Sequence, residues 1–154
     1  MLAVGSRSLK NVFWLERCAD SESIPPRIDG KALFGTYALL FFKHYDQYRE
    51  TVTYAGHAFA PLSTKIRELE PVVRKLVAIE PECQLMLWEE VRPSMIDLLD
   101  MDKTISEAEL GIGDIVVFQR ALSLPEAALL RLPLADQWYS FMSDPALEEL
   151  VTIS

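Results

Sequence analysis

Between residues 89 and 114 the sequence carries Glu89, Glu90, Asp97, Asp100, Asp102, Glu107, Glu109 and Asp114, with only Arg92 and Lys103 between them. Carboxylates gathered without cations attract ammonium and guanidinium groups. The charge partition makes the grouping quantitative. Residues 1–79 hold 11 Lys or Arg and 8 Asp or Glu, residues 80–114 hold 2 and 10, and residues 115–154 hold 2 and 5. The middle stretch alone therefore equals the net charge of −8 of the whole chain. Two uses fit such a stretch, a solvated face that keeps the protein soluble or a docking surface for Lys and Arg. Trp88 precedes Glu89 and Glu90, and an exposed Trp beside carboxylates can stack on a Lys stem or ammonium for roughly 0.5–2 kcal/mol. Packing against residues 92–100 is the competing use of the same side chain.

Other candidate chemistry is weaker. A nucleophilic cysteine needs a base and an orienting group converging on it. Cys83 is the only plausible thiol, since Cys18 lies beside a Pro- and Ser-rich stretch, and both histidines, His44 and His57, belong to another part of the chain. No catalytic residue is expected, and Cys83 reads as a small apolar residue entering a strand. Neither CxxC nor HxxxH spacing occurs, so no metal or other cofactor is expected. GIGD at residues 111–114 precedes a strand, lacks a following Lys and is flanked by acids. It therefore reads as a tight turn with positive φ and not as a phosphate cradle. Phe41, Phe42 and Tyr45 lack the basic groove of a base-stacking platform and read as sheet packing.

The remaining composition bounds the class. At 154 residues, half of them apolar, with 25% charged and 10% aromatic residues, the chain suits one globular domain with attached pieces. Its longest apolar run, Tyr37 to Phe42, falls far short of the ~20 residues of a membrane span, and Met1 to Lys10 lacks a secretory core. A nuclear or cytosolic setting is the expectation. The acidity argues against a nucleic-acid partner, which would require Lys and Arg to neutralise phosphates, and no membrane partner is expected.

These side chains need a scaffold. Ala38–Tyr45 and Thr51–Pro61 are β-rich runs separated by five polar residues, which is a hairpin pattern. Ile66, Leu69, Val72, Val73, Leu76 and Val77 recur at steps of three and four. This spacing predicts one amphipathic helix capped by Ser63 or Thr64, with Pro71 about two turns inside it and bending it. Gln84–Val91 and Asp114–Gln119 read as two more strands, with Leu85 and Leu87 on one face and Trp88 on the other. Residues between them read as irregular, with an apolar cluster at Met95–Leu99 and one helical turn at Thr104–Leu110. A helix linking two hairpins lets the first and last strands pair in the middle of one sheet. The expected fold class is α+β, a β-grasp (ubiquitin-like) domain over residues 37–120 with a four-strand mixed sheet and one main helix. Residues 17–36, with Pro25, Pro26 and two glycines, read as a linker, and residues 121–154 as a helical C-terminal connector broken by prolines.

At this point four motifs stand in order: LLFFKHYD, VTYAGHAFAPLSTKIRELEPVV, LMLWEEVRP and GDIVVFQ. Together they resemble the second ubiquitin-like module of the HAUSP-type ubiquitin-specific proteases. NVFWLE, within residues 1–16, is similar to the last strand of a preceding module, and LPLADQWYSFM resembles the helical start of a following one. The resemblance implies a non-catalytic module of a thiol-dependent deubiquitinase, found in nucleus and cytoplasm. Its partners would be neighbouring modules, a separate protease domain, and Lys-containing peptides of substrates or regulators. It also implies that acids just before the GD of the last strand receive the lysines. Glu109 and Asp114 match that patch, whereas Ala108 and Ile112 stand where the pattern has acids, with Glu107 one residue away. The partner-binding set is thus Glu107, Glu109, Asp114, Glu89, Glu90 and Trp88. The alternative function is a structural spacer in a tandem array, with no ligand of its own.

Overall fold

The computed structural model describes residues 35–142 apart from residues 94, 124, 127, 128 and 130–132. The strand expected in residues 1–16, nearly all of the linker at 17–36 and the connector beyond residue 142 lie outside the described residues.

The first two runs form strands β1 (Tyr37–Asp46) and β2 (Thr51–Pro61), joined by a polar turn. Asp46 shapes the turn by accepting the Tyr48 and Arg49 N–H groups on Oδ1 at 3.0 and 3.2 Å. The register shifts between Phe42 and Lys43, where a bulge in β2 falls next to Gly56. Gly56 is at φ +148°, which favours glycine, and a Cβ there would meet Leu76 Cδ2 at 2.8 Å, so the Leu76 side chain would also have to shift.

Helix formation departs from the expectation of one bent helix. Ile66–Leu69 is a 3-10 turn, and the α-helix proper, α1, covers only Glu70–Leu76. Pro71 therefore sits in the first turn, where its missing N–H would have had no intrahelical partner. Neither Ser63 nor Thr64 is the cap. The capping position is Lys65, whose N–H donates to Glu68 Oε2 at 2.7 Å. The apolar period runs across both pieces because both lie on the same core, where Ile66, Leu69 and Val73 are buried.

β3 (Leu85–Arg92) and β5 (Ile112–Arg120) match the later runs, but the sheet has five strands and not four. Met95–Leu98 forms β4, antiparallel to β3. Its alternation is hidden because it is a short edge strand, with Met95 and Leu98 exposed and only Ile96 buried. The strand order is β2-β1-β5-β3-β4, with β1 and β5 parallel in the middle and every other pair antiparallel. This is the β-grasp arrangement.

The sheet is covered on both faces. On one, Leu40, Phe42, Leu87, Val116 and Phe118 pack against the helix side, closed at one end by Leu99, Ile105 and Leu110. On the other, Tyr45, Trp88, Ile96 and Val117 pack under α2 (Ala135–Met142), through Ala135 and Tyr139. The expected connector thus contains a helix, Ala135–Met142, that folds back onto the domain. Tyr45 Oη donates to the Pro133 carbonyl at 3.2 Å and Tyr139 Oη to Glu90 Oε2 at 2.9 Å, which fasten it there.

Replacing Pro71 tests its position. A proline inside the helix would cost about 3 kcal/mol, so its removal would stabilise. With Pro71 in the first turn, Pro71→Ala should instead lose about 0.4–1 kcal/mol through the freer unfolded chain, as urea unfolding will show.

Candidate partner-binding site

Strand alternation places Glu89 on the helix side of β3, one step beyond Leu87. In the ladders it lies opposite Asp97 of β4 and Val116 of β5. The segment leading to β5 brings two more carboxylates to this end of the sheet. Ile105 N–H donates to the Thr64 carbonyl at 2.8 Å and Ile66 N–H to the Lys103 carbonyl at 2.9 Å, which tie residues 103–105 to the start of the helical region. The chain then makes one turn, with Ala108 N–H on the Thr104 carbonyl at 2.9 Å, and Glu109 ends it at φ 59°. Only a few per cent of non-glycine residues adopt that left-handed conformation. Next, Gly111 N–H donates to Asp114 Oδ2 at 2.7 Å, and Gly113 takes φ +95°. The positive φ expected in GIGD falls at its second glycine, but the stretch is not a tight turn: residues 112–114 already belong to β5, where the register against β1 shifts between Leu39 and Phe41.

The electrostatic result is a quartet, Glu89, Asp97, Glu109 and Asp114. Partial burial, then repulsion from Asp114, Asp97 and Glu109 in that order, raises the Glu89 pKa above its ordinary value. Among the described residues no ion pair involves any of the four, since the pairs formed use Glu90, Asp46, Asp102, Glu70 and Glu126. Among the described residues the negative charge of the quartet is therefore unpaired.

Other residues of the expected set fall elsewhere. Trp88 is 2% exposed, under α2 with Tyr45, Ile96 and Val117, so it is packing and offers no face to a lysine. Glu90 lies on that same side. Both of its oxygens accept from Lys43 Nζ at 2.8 Å, Oε2 also accepts from Tyr139, and its side chain is 5% exposed. It already holds its cation. Glu107 is exposed, but its Oε2 accepts from the Thr104 N–H and hydroxyl at 2.8 and 2.9 Å, which hold its pKa down, with Lys103 and Lys65 adding to the effect. Asp102 pairs with Arg67. Asp97, absent from the expected set, joins it. Nothing in the sequence signals it, since Met95–Leu98 does not alternate, and only the β3–β4 ladder sets Asp97 opposite Glu89.

Cys83 precedes β3 in a turn. Its Sγ accepts from Arg120 Nε at 3.1 Å, and its thiol donates to Glu80 Oε2 at 3.6 Å. His44 stacks on Phe118 with ring centres 5.2 Å apart, and burial lowers its pKa. His57 meets the Tyr54 hydroxyl at 3.3 Å.

Residues 3–146 match the family model described as the ICP0-binding domain of ubiquitin-specific protease 7. The chain belongs to this family. Curated relatives agree: it is 29% identical over 82 residues to ubiquitin carboxyl-terminal hydrolase 5 of Schizosaccharomyces pombe, covering 53% of the chain and 7% of that protein. To ubiquitin C-terminal hydrolase 13 of Arabidopsis thaliana it is 27% identical over 122 residues, covering 77% of the chain and 11% of that protein. The chain thus spans about a tenth of the length of either. Among solved structures, the C-terminal ubiquitin-like domain of mouse tubulin-specific chaperone e aligns with 58% of this chain and 91% of its own, at 16% identity and a TM-score of 0.44. As a member of the ubiquitin-specific protease family, the ICP0-binding-type domain described here is a ubiquitin-like module.

The like-charge contact across β3 and β4 has a measurable cost. Carboxylates directly opposite each other in a ladder destabilise by about 0.2–1 kcal/mol. Glu89→Gln should therefore raise stability at pH 7 by about that amount. In the wild type the folded state holds the Glu89 proton more tightly than the unfolded chain does. Lowering the pH through the raised pKa thus returns the lost stability, and the advantage of Glu89→Gln should shrink. Urea unfolding of both proteins between pH 7 and pH 4 checks this.

Proposed function

We propose that this domain is a non-catalytic docking module of a deubiquitinase, and that Glu89, Asp97, Glu109 and Asp114 receive lysines of a substrate or regulator peptide. The observation that carries the reading is the uncompensated repulsion within the quartet. A Lys ammonium brought between these carboxylates relieves it, whereas at Glu90 the Lys43 ammonium already does so. The family name supports the class of partner, since it records binding of a protein, ICP0. The four carboxylates sit at the surface end of the sheet, so each contact is screened by solvent and the peptide should bind in the micromolar range with strong salt dependence.

The spacer reading is favoured by one observation, the packing of α2 onto the sheet, which makes residues 135–142 of the connector part of the domain. The two readings separate experimentally. A fluorescent peptide carrying two lysines should bind in anisotropy titrations at 50 mM salt and weaken at 300 mM. Absence of binding even at 50 mM salt favours the spacer.

Glu109 allows folding and docking to be separated. Its left-handed backbone costs about 1 kcal/mol relative to glycine, so Glu109→Gly should leave the domain as stable or more so. Combined with Asp97→Asn, it should weaken peptide binding about 2- to 30-fold, at roughly 0.2–1 kcal/mol for each of the two charges removed. A stable double variant with unchanged affinity would refute the site.

A further inference from the structure

Gln119 is completely buried in β5, and both ends of its amide are used. Oε1 accepts the N–H of Ala135, the first residue of α2, at 2.8 Å. Nε2 donates to Gln47 Oε1 at 2.6 Å, and Gln47, 2% exposed, lies in the turn between β1 and β2. The order of these bonds is fixed. A backbone N–H can be met only by an oxygen, so the Ala135 bond sets which way the Gln119 amide points, and that in turn requires an oxygen from Gln47. Seating α2 and placing the turn are thus one hydrogen-bonded unit.

The helix depends on its contacts with the sheet. Eight residues are too few for a helix to persist alone in water, where about 12–15 are marginal. Its order must therefore come from its seat. The seat is the aromatic side of the sheet, where Trp138 lies 5.7 Å from the Tyr45 ring. At the other end of the relay, the turn offers a handle to the outside, since Tyr48 is exposed and its hydroxyl accepts from Arg120 Nη1 at 3.0 Å.

We infer that the Gln47–Gln119–Ala135 relay is a latch that makes the seating of α2, and with it the placement of Met142 from which the chain continues, depend on the conformation of the β1–β2 turn. A contact that displaces Gln47 would loosen α2 and uncover the aromatic side around Trp88. Gln119 and Gln47 are positioning residues in this device.

Amide hydrogen exchange on the whole chain tests it. Gln119→Met removes both bonds, and the amides of Tyr139 and Met142 should then exchange at least tenfold faster, with Phe42 and Val116 unchanged. Gln47→Leu is the sharper variant, because it leaves the Ala135 bond in place. It should still accelerate exchange in α2 at least threefold, an effect that a purely local role for Gln47 would not produce. Should Gln119→Met fail to fold, Gln47→Leu decides alone. Unchanged α2 exchange in Gln47→Leu, or acceleration shared equally by Phe42 and Val116, would overturn the latch.

Discussion

The parallel pairing of β1 with β5 is the contact on which the rest of the domain depends. These strands are far apart in sequence, and bringing them together costs the closure of the whole intervening chain. Burial on both faces offsets that cost. Leu40, Phe42, Val116 and Phe118 serve the helix side, while Tyr45 and Val117 serve the α2 side. With the central pair in place, β2 and β3 add to its outer edges, and β4 completes the sheet beyond β3. The acidic quartet is a by-product of that order, because β3, β4 and the turn leading into β5 must meet at one end.

Much of this was legible because strand alternation and hairpin spacing are local properties. Ala38–Tyr45 and Thr51–Pro61 read as strands from composition, and the sides taken by Leu87 and Trp88 follow from alternation alone. What could not be read locally is informative. The apolar period from Ile66 to Val77 reports a common buried side, and a 3-10 turn followed by an α-helix satisfies it as well as one continuous helix does. Pro71 was the clue, since it fits a helix start with no loss of a bond. β4 was hidden because an edge strand of four residues leaves Met95 and Leu98 exposed and so shows no apolar alternation.

The candidate site was legible as a charge imbalance but not as a geometry. Counting carboxylates treats Glu89 and Glu90 alike, whereas one residue of strand separates an uncompensated carboxylate from one bound to Lys43 and Tyr139 on the opposite side of the sheet. Trp88 follows the same rule. Adjacency in sequence to acids said nothing about exposure, and α2, which covers it, comes from residues almost 50 positions later. The resemblance of GDIVVFQ and its neighbours pointed to Glu109 and Asp114, and the fold adds Asp97 through the ladder partner of Glu89.

The bulge beside Gly56 bears on self-association. Among the described residues β2 is the longer of the two outer strands of the sheet, eleven residues against four for β4. A flat rim of that length would template a neighbouring molecule and grow fibres. A bulge bends a strand and increases its twist, and here it falls beside Gly56, with Leu76 packed over it. A bulge at that position makes the rim a poorer template for a neighbouring strand than a regular one would be.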